Sequence, residues 1–250
     1  MHQYLYLSKG IKIPLYNLFI GIGVTFAFLY LDKQLIEKKI DFNKDRYLYY
    51  SIIISLFFAF LGAKLADIFN KNLRVSLNNF YRGGFTFYGG LIFGIIAFFI
   101  MNNFFDLNNR YYLNLLVPSL VLAHAWGRIG CFFAGCCFGK PTGFILGVVF
   151  PENSLASLKY GVGTAVHPTQ LYEAFFLFIL FFILISKVFF KKRISVYLIS
   201  YSIFRFFIEY LRGDNRGYFF LSIFSPSQII SVFMLIIGFI LFQWDSINCK

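Results

Sequence analysis

A histidine and an arginine, His124 and Arg128, stand one helical turn apart in a stretch that continues the apolar 115–123 run with no polar break. An ionised group at bilayer depth costs at least a few kcal/mol, so it persists where a partner, water or a charged substrate meets it. Gly127, Gly130, Gly135 and Gly139 strip side-chain bulk from around Arg128 and let another helix or a lipid headgroup reach the backbone. Two readings stay open: a buried arginine tied to a carboxylate, or an arginine that holds an anion, a phosphate above all, inside the membrane. A second cationic run, Phe204-Arg205 to Arg212, places Arg205, Glu209 and Arg212 at i, i+4 and i+7, along one helix face. Two arginines bracketing one glutamate carry more positive charge than internal neutralisation needs, which favours anion binding over a structural triad.

Three further runs join these. In His167-Pro168-Thr169-Gln170-Leu171-Tyr172-Glu173, proline and threonine sit where a helix starts. Gln170, Tyr172 and Glu173 then fall in its first turn, where the helix dipole favours a carboxylate. In Arg82-Gly83-Gly84-Phe85-Thr86-Phe87-Tyr88-Gly89-Gly90-Leu91, paired glycines free backbone N–H groups near a helix N-terminus, which suits an anion. The same pairs also suit a helix-packing seam. In Gly62–Asp67, Lys64 and Asp67 lie at i, i+3 and form either a neutralising pair or a lysine facing a lipid phosphate. Tyr16 reads as an interfacial anchor or a site residue. Cys131, Cys136 and Cys137 lack C-x-x-C spacing, and a vicinal pair does not easily form an unstrained disulfide. They read as small packing residues, a metal or redox role and a substrate-side role being the alternatives; no metal and no cofactor is expected.

The elements that must hold these residues are set by composition. With 59% hydrophobic residues, 14% charged and a mean hydropathy of +0.70, the chain is no soluble domain. Its apolar residues fall in runs of about 20, enough to cross a hydrocarbon core of ~30 Å. Seven such runs centre near Gly21, Leu56, Ile95, Leu120, Phe178, Ile203 and Met234. The expected fold is an all-α integral membrane protein of seven transmembrane helices forming one polytopic domain over residues 1–250. A small extracytoplasmic cap, 140–168, lies between spans four and five, with a strand over Phe144–Phe150. The first run lacks a small-residue cleavage site and reads as a retained span. The net charge of +12 sits in short loops, where it sets topology and attracts anionic lipids; nucleic acid is not an expected partner. The basic, mixed-sign loop Asp32–Arg46 reads as a cytoplasmic hairpin, which puts the N-terminus outside. Tyr88, Gly139, His167 and Arg212 then end spans separated by even numbers of crossings, so they reach one membrane face.

Taken in order and spacing, these runs resemble the prolipoprotein diacylglyceryl transferase family. The matching pieces are Gly127-Arg128-Ile129-Gly130 through Gly139, the Arg82–Leu91 glycine run, His167–Glu173 and Phe204-Arg205 to Arg212. The resemblance implies transfer of diacylglyceryl from phosphatidylglycerol to the lipobox cysteine thiol of a prolipoprotein, with release of glycerol 1-phosphate, in a bacterial cytoplasmic membrane. Partners would be phosphatidylglycerol, prolipoprotein signal peptides and membrane lipids. A phosphate leaving group calls for cations placed where its charge develops, which suits Arg128 and Arg205. Substrate-binding positions are expected at Tyr16, Lys64, Gly89, Gly90, Gly139, Gln170, Tyr172, Glu173, Glu209 and Arg212, with Glu209 orienting the arginines. The family usually has His at the position of Tyr88, Asn at Cys131 and Glu at Cys136. Tyrosine is a poor base at neutral pH, so His124 or His167 is expected to remove the thiol proton and Tyr88 to donate a hydrogen bond. The alternatives are a related transferase with another acceptor and a non-catalytic phospholipid-binding carrier.

Overall fold

A computed structural model describes residues 4–6, 12–71, 76, 80, 84, 86–214 and 224–247. Arg82, Gly83 and Phe85 of the glycine run lie outside the described residues, as does 215–218 of the polar loop after Arg212.

Every apolar run becomes a helix. They are α1 (Leu15–Glu37), α2 (Phe42–Asn70), α3 (Phe87–Phe104), α4 (Asn109–Ala134), α6 (Thr169–Ile185), α7 (Arg193–Ile208) and α8 (Pro226–Ile247). The short α5 (Leu155–Tyr160) lies between α4 and α6. Short 3₁₀ turns, Lys187–Lys192 and Glu209–Leu211, flank α7. Five of these segments are long and apolar enough to cross a membrane, and two shorter apolar helices, Tyr88–Phe104 and Thr169–Ile185, accompany them. The chain is a multi-pass membrane protein.

Local chemistry sets the helix ends. Asp41 caps α2 through its side chain, accepting from the Asn43 N–H at 3.1 Å. The hairpin expected over Asp32–Arg46 therefore shrinks to the turn 38–41, with Lys39 at φ 51°, because its charged flanks continue the two helices. Pro168 precedes the first residue of α6 as expected. The strand expected over Phe144–Phe150 is shorter: β3 (Val148–Val149) pairs antiparallel with β4 (Ala165–Val166). Ahead of it the chain turns, with the Gly147 N–H on the Phe144 carbonyl at 2.7 Å. A second hairpin joins β1 (Tyr4–Tyr6) to β2 (Lys12–Pro14), in register Tyr4↔Pro14.

The chain folds as two compact units, Met1–Lys33 with Asn114–Lys250, and Gln34–Leu113. In the first, Val117, Val121 and Ala125 of α4 pack with Leu177, Leu180 and Leu184 of α6 and Tyr201 of α7. The end of this core is closed by polar groups. Arg193 Nε donates to the Leu184 carbonyl at 2.7 Å, satisfying the C-terminus of α6. Asn114 bridges the α4 and α7 ends, accepting from the Ile194 N–H at 2.9 Å and donating to the Lys191 carbonyl at 3.0 Å. A smaller core of Phe138, Phe150, Ala156 and Val166 organises the segment between α4 and α6. In the second unit, α2 and α3 cross on small residues. A Cβ on Gly62 would lie 2.5 Å from Phe93 and 2.7 Å from the Gly89 carbonyl oxygen; one on Gly90 would lie 3.0 Å from the Ala59 carbonyl.

Candidate active site

Glu173 is the hub of the first unit's polar interior. It sits in the first turns of α6, 1% exposed, and its Oε1 is held by two groups from two other helices, with a third nearby. Arg128 Nη2 of α4 lies at 2.9 Å, Tyr201 Oη of α7 donates at 2.8 Å, and His124 Nε2 of α4 stands at 3.6 Å. Arg128 Nε also donates to His124 Nε2 at 3.3 Å, as their i, i+4 spacing predicts. A guanidinium N–H can only donate, so His124 accepts at Nε2 and carries its proton on Nδ1. The dipole of α6 alone does not account for Glu173: a cation and a phenol hold its carboxylate. Arg205 acts on the same carboxylate through space. Arg128 is thus paired directly with Glu173, whereas the ion pair of Arg205 is with Glu209.

The second cationic run departs from its expected geometry. Helix α7 stops at Ile208, Glu209–Leu211 tightens to a 3₁₀ turn, and Arg212 is extended (φ −71°, ψ 142°). Arg205, Glu209 and Arg212 therefore do not line one α-helical face. Arg205 Nη1 pairs with Glu209 Oε2 at 2.7 Å and its Nη2 donates to Ser227 Oγ of α8 at 2.9 Å. Arg212 forks onto Asp214, at 2.9 and 2.7 Å, and stands 3.8 Å from Glu209. The net positive charge expected for this run is thus offset by Asp214. Burial works against the Arg212 charge, but the Asp214 carboxylate outweighs it and raises the arginine's pKa.

Between these clusters runs the segment 135–139. Gly135, at φ 70°, ends α4 in the left-handed conformation. The start of α6 then pins the two cysteines after it: Gln170 Nε2 donates to the Cys136 carbonyl at 2.6 Å and Thr169 Oγ1 to the Cys137 carbonyl at 2.7 Å. Gly139 bridges to Arg212, and its N–H donates to the His167 carbonyl at 2.9 Å. A Cβ on Gly139 would meet the His167 oxygen at 2.6 Å and the Leu211 oxygen at 2.8 Å. Gly139, His167 and Arg212, expected on one membrane face, are in contact. His167 Nδ1 lies 3.3 Å from Tyr172 Oη. Tyr16, 39% exposed, packs where α1 crosses α4, and a Cβ on Gly130 would lie 3.2 Å from its carbonyl oxygen. Gly127 opens onto free space.

A profile of the prolipoprotein diacylglyceryl transferases matches residues 3–244. The chain belongs to that family. A Clostridium tetani protein named phosphatidylglycerol–prolipoprotein diacylglyceryl transferase is 37% identical over 248 residues, covering 94% of either chain. A Clostridium perfringens protein of the same name, numbered 2, is 36% identical over 248 residues, covering 96% of this chain and 93% of its own. One from a Wolbachia of Brugia malayi is 32% identical over 258 residues.

Within this family chain, the remaining predicted positions belong to the second unit and are described by themselves. Tyr88 is 37% exposed near the start of α3. Gly89 and Gly90 form the α2–α3 seam, the packing alternative of the glycine run. Gly84 N–H does bind an anion, but an internal one: Asp67 Oδ2 at 2.7 Å. The same oxygen pairs with Lys71 at 2.7 Å, so Lys71 takes the short contact expected of Lys64. A lysine at i+4 reaches back along the helix face to the carboxylate. Lys64 is 6% exposed with its Nζ 5.8 Å from the centre of the Phe80 ring. Three participants escaped the sequence reading: Tyr201, Ser227 and Asp214. Tyr201 precedes Arg205 by four residues on α7, a spacing that puts the two on one face. Nothing in sequence links Ser227 to Arg205.

Proposed function

We propose that this protein transfers the diacylglyceryl group of phosphatidylglycerol to the lipobox cysteine thiol of prolipoproteins and releases glycerol 1-phosphate. The observation that carries the reading is Arg128 on the buried Glu173 at 2.9 Å, with the buried Arg205 on the helix that also sends Tyr201 to that carboxylate, in a chain of this family. In the reaction the thiol sulfur bonds to the terminal glycerol carbon of the lipid. The C–O bond to phosphate breaks with its electron pair on the phosphate oxygen, and the thiol proton passes to a base. The developing charge falls on the phosphate, so the protein's task is to present fixed cations in a site of low dielectric. A guanidinium has five donors. Arg128 donates to His124 and is ion-paired with Glu173, and Arg205 donates to Ser227 and is ion-paired with Glu209, so each guanidinium keeps N–H groups that can turn toward a headgroup. The carboxylates hold the arginines in place and balance their charge until the lipid arrives.

His124 Nε2 is already engaged by Arg128, which supports His124 as an orienting group and His167, beside Gly139 and Tyr172, as the group that takes the thiol proton. Arg212, Gln170, Tyr172 and Tyr16 frame this face of the site. A substrate role for Tyr88, Gly89, Gly90 and Lys64 rests on the family motif. The chain is read as a single polytopic domain with seven spans, the N-terminus outside and 140–168 as an extracytoplasmic cap. Purified protein incubated with labelled phosphatidylglycerol and a lipobox peptide tests the reading, thioether-linked peptide being the expected product. Lipid turnover without lipidated peptide would point to a different acceptor, and bound but unreacted lipid to a carrier.

A further inference from the structure

Cys131 lies in the last turn of α4, and Cys136 and Cys137 follow its left-handed termination at Gly135. Nothing in the spacing announces a site, yet the three sulfur atoms lie within 4.8 Å of one another. Cys137 itself adopts φ 62°, a conformation that side chains other than glycine, asparagine and aspartate seldom take. Two successive reversals, at Gly135 and Cys137, fold the vicinal pair back over the last turn of α4. The arrangement is held from outside. Gln170 and Thr169 bind the Cys136 and Cys137 carbonyls, the Cys136 N–H donates to the Cys131 carbonyl at 3.3 Å, and Gly139 bridges to Arg212. None of the three cysteines forms a disulfide, and all are partly buried. Small packing residues would not need this convergence of sulfurs or a strained backbone at one of them.

We infer that Cys131, Cys136 and Cys137 form a binding site for a thiophilic metal ion of the zinc class. Zinc bonds thiolates at about 2.3 Å in a tetrahedron, which places neighbouring sulfurs about 3.8 Å apart. The observed trio needs to draw in by at most about 1 Å to match that figure. Soft sulfur donors select zinc-class and cuprous ions over magnesium or calcium. Three thiolates carry more negative charge than the ion neutralises, and Arg128 and Arg212 both act electrostatically on the trio. The protein supplies three ligands, leaving the fourth tetrahedral position open to water or an external thiol, as in exchangeable zinc sites. No step of the transferase reading uses these cysteines, so the site stands or falls apart from it.

The full-length protein, reduced and chelator-treated in detergent, is titrated with Cd2+, and the ultraviolet cadmium–thiolate band is followed. The band is expected to saturate at one ion per chain, to be displaced by Zn2+ and to be untouched by Mg2+. Mass-spectrometric mapping is expected to show Cys131, Cys136 and Cys137 shielded from iodoacetamide by the ion, with Cys249, the remaining cysteine, as reference. Cys131→Ser, Cys136→Ser and Cys137→Ser should each lose the saturable band, while Cys249→Ser keeps it. Unshielded cysteines in the wild-type protein, or a band that survives in Cys131→Ser, would overturn the inference. The alkylation map needs no variant, so the question is answered even if a substitution impairs folding.

Discussion

Removing the Glu173 carboxylate strands Arg128 among membrane helices with its counter-charge gone. Breaking one half of a buried ion pair costs about 3–5 kcal/mol, so Glu173→Ala is expected to lower the thermal midpoint in detergent sharply and to abolish lipidation. Tyr201→Phe removes one hydrogen bond from the same oxygen, a loss of about 1 kcal/mol, and should leave most activity in place. If the two variants behave alike, Glu173 is not the hub its contacts indicate. His124 poses a sharper question, because its Nε2 already accepts from Arg128. His124→Gln offers an amide oxygen to the same guanidinium, whereas His124→Ala offers nothing. An orienting role predicts partial complementation by the glutamine variant and none by alanine. Equal failure of both, with His167→Ala active, would make His124 the proton acceptor.

At the scale of elements, glycine is used where two backbones must touch. The α2–α3 seam closes at Gly62 and Gly89, and a Cβ on Gly62 would sit 2.5 Å from Phe93. Overpacking of this kind costs about 1–3 kcal/mol, so Gly62→Ala is expected to loosen the second unit, read as faster proteolysis or a lower midpoint. Gly139 is more demanding, since its neighbours are the carbonyl oxygens of His167 and Leu211, which cannot swing aside as a side chain does. Gly139→Ala should displace the bridge to Arg212 and remove activity even where the protein still folds; retained activity would separate that bridge from the site.

For the whole molecule, the distribution of lysine and arginine among short loops sets orientation. On the proposed reading, seven crossings from an outside N-terminus would put the C-terminus in the cytoplasm. A fluorescent protein fused after Lys250 is expected to fluoresce and an alkaline phosphatase fused there to stay inactive. Phosphatase activity at that end would mean either another number of crossings or the opposite orientation.

Much of this protein was determined by its sequence alone. Apolar runs of membrane length became helices, because a backbone in hydrocarbon must satisfy its hydrogen bonds internally. The His124–Arg128 contact followed from helical spacing, and the joint motifs pointed to the family. The sequence reading also put Tyr88, Gly139, His167 and Arg212 at one membrane face by counting crossings, and the last three are in contact. Only the tertiary structure decided which charges meet. Glu173 joins Arg128 and Tyr201 from three helices, and Ser227 reaches Arg205 from a fourth. Asp214 cancels the surplus charge that linear spacing gave to Arg205 and Arg212, because the helix ends early at a 3₁₀ turn. The sulfur trio was illegible for the same reason. Spacing along a chain reports neighbours within one regular element, whereas Cys131, Cys136 and Cys137 converge through two left-handed backbone positions that no periodicity records.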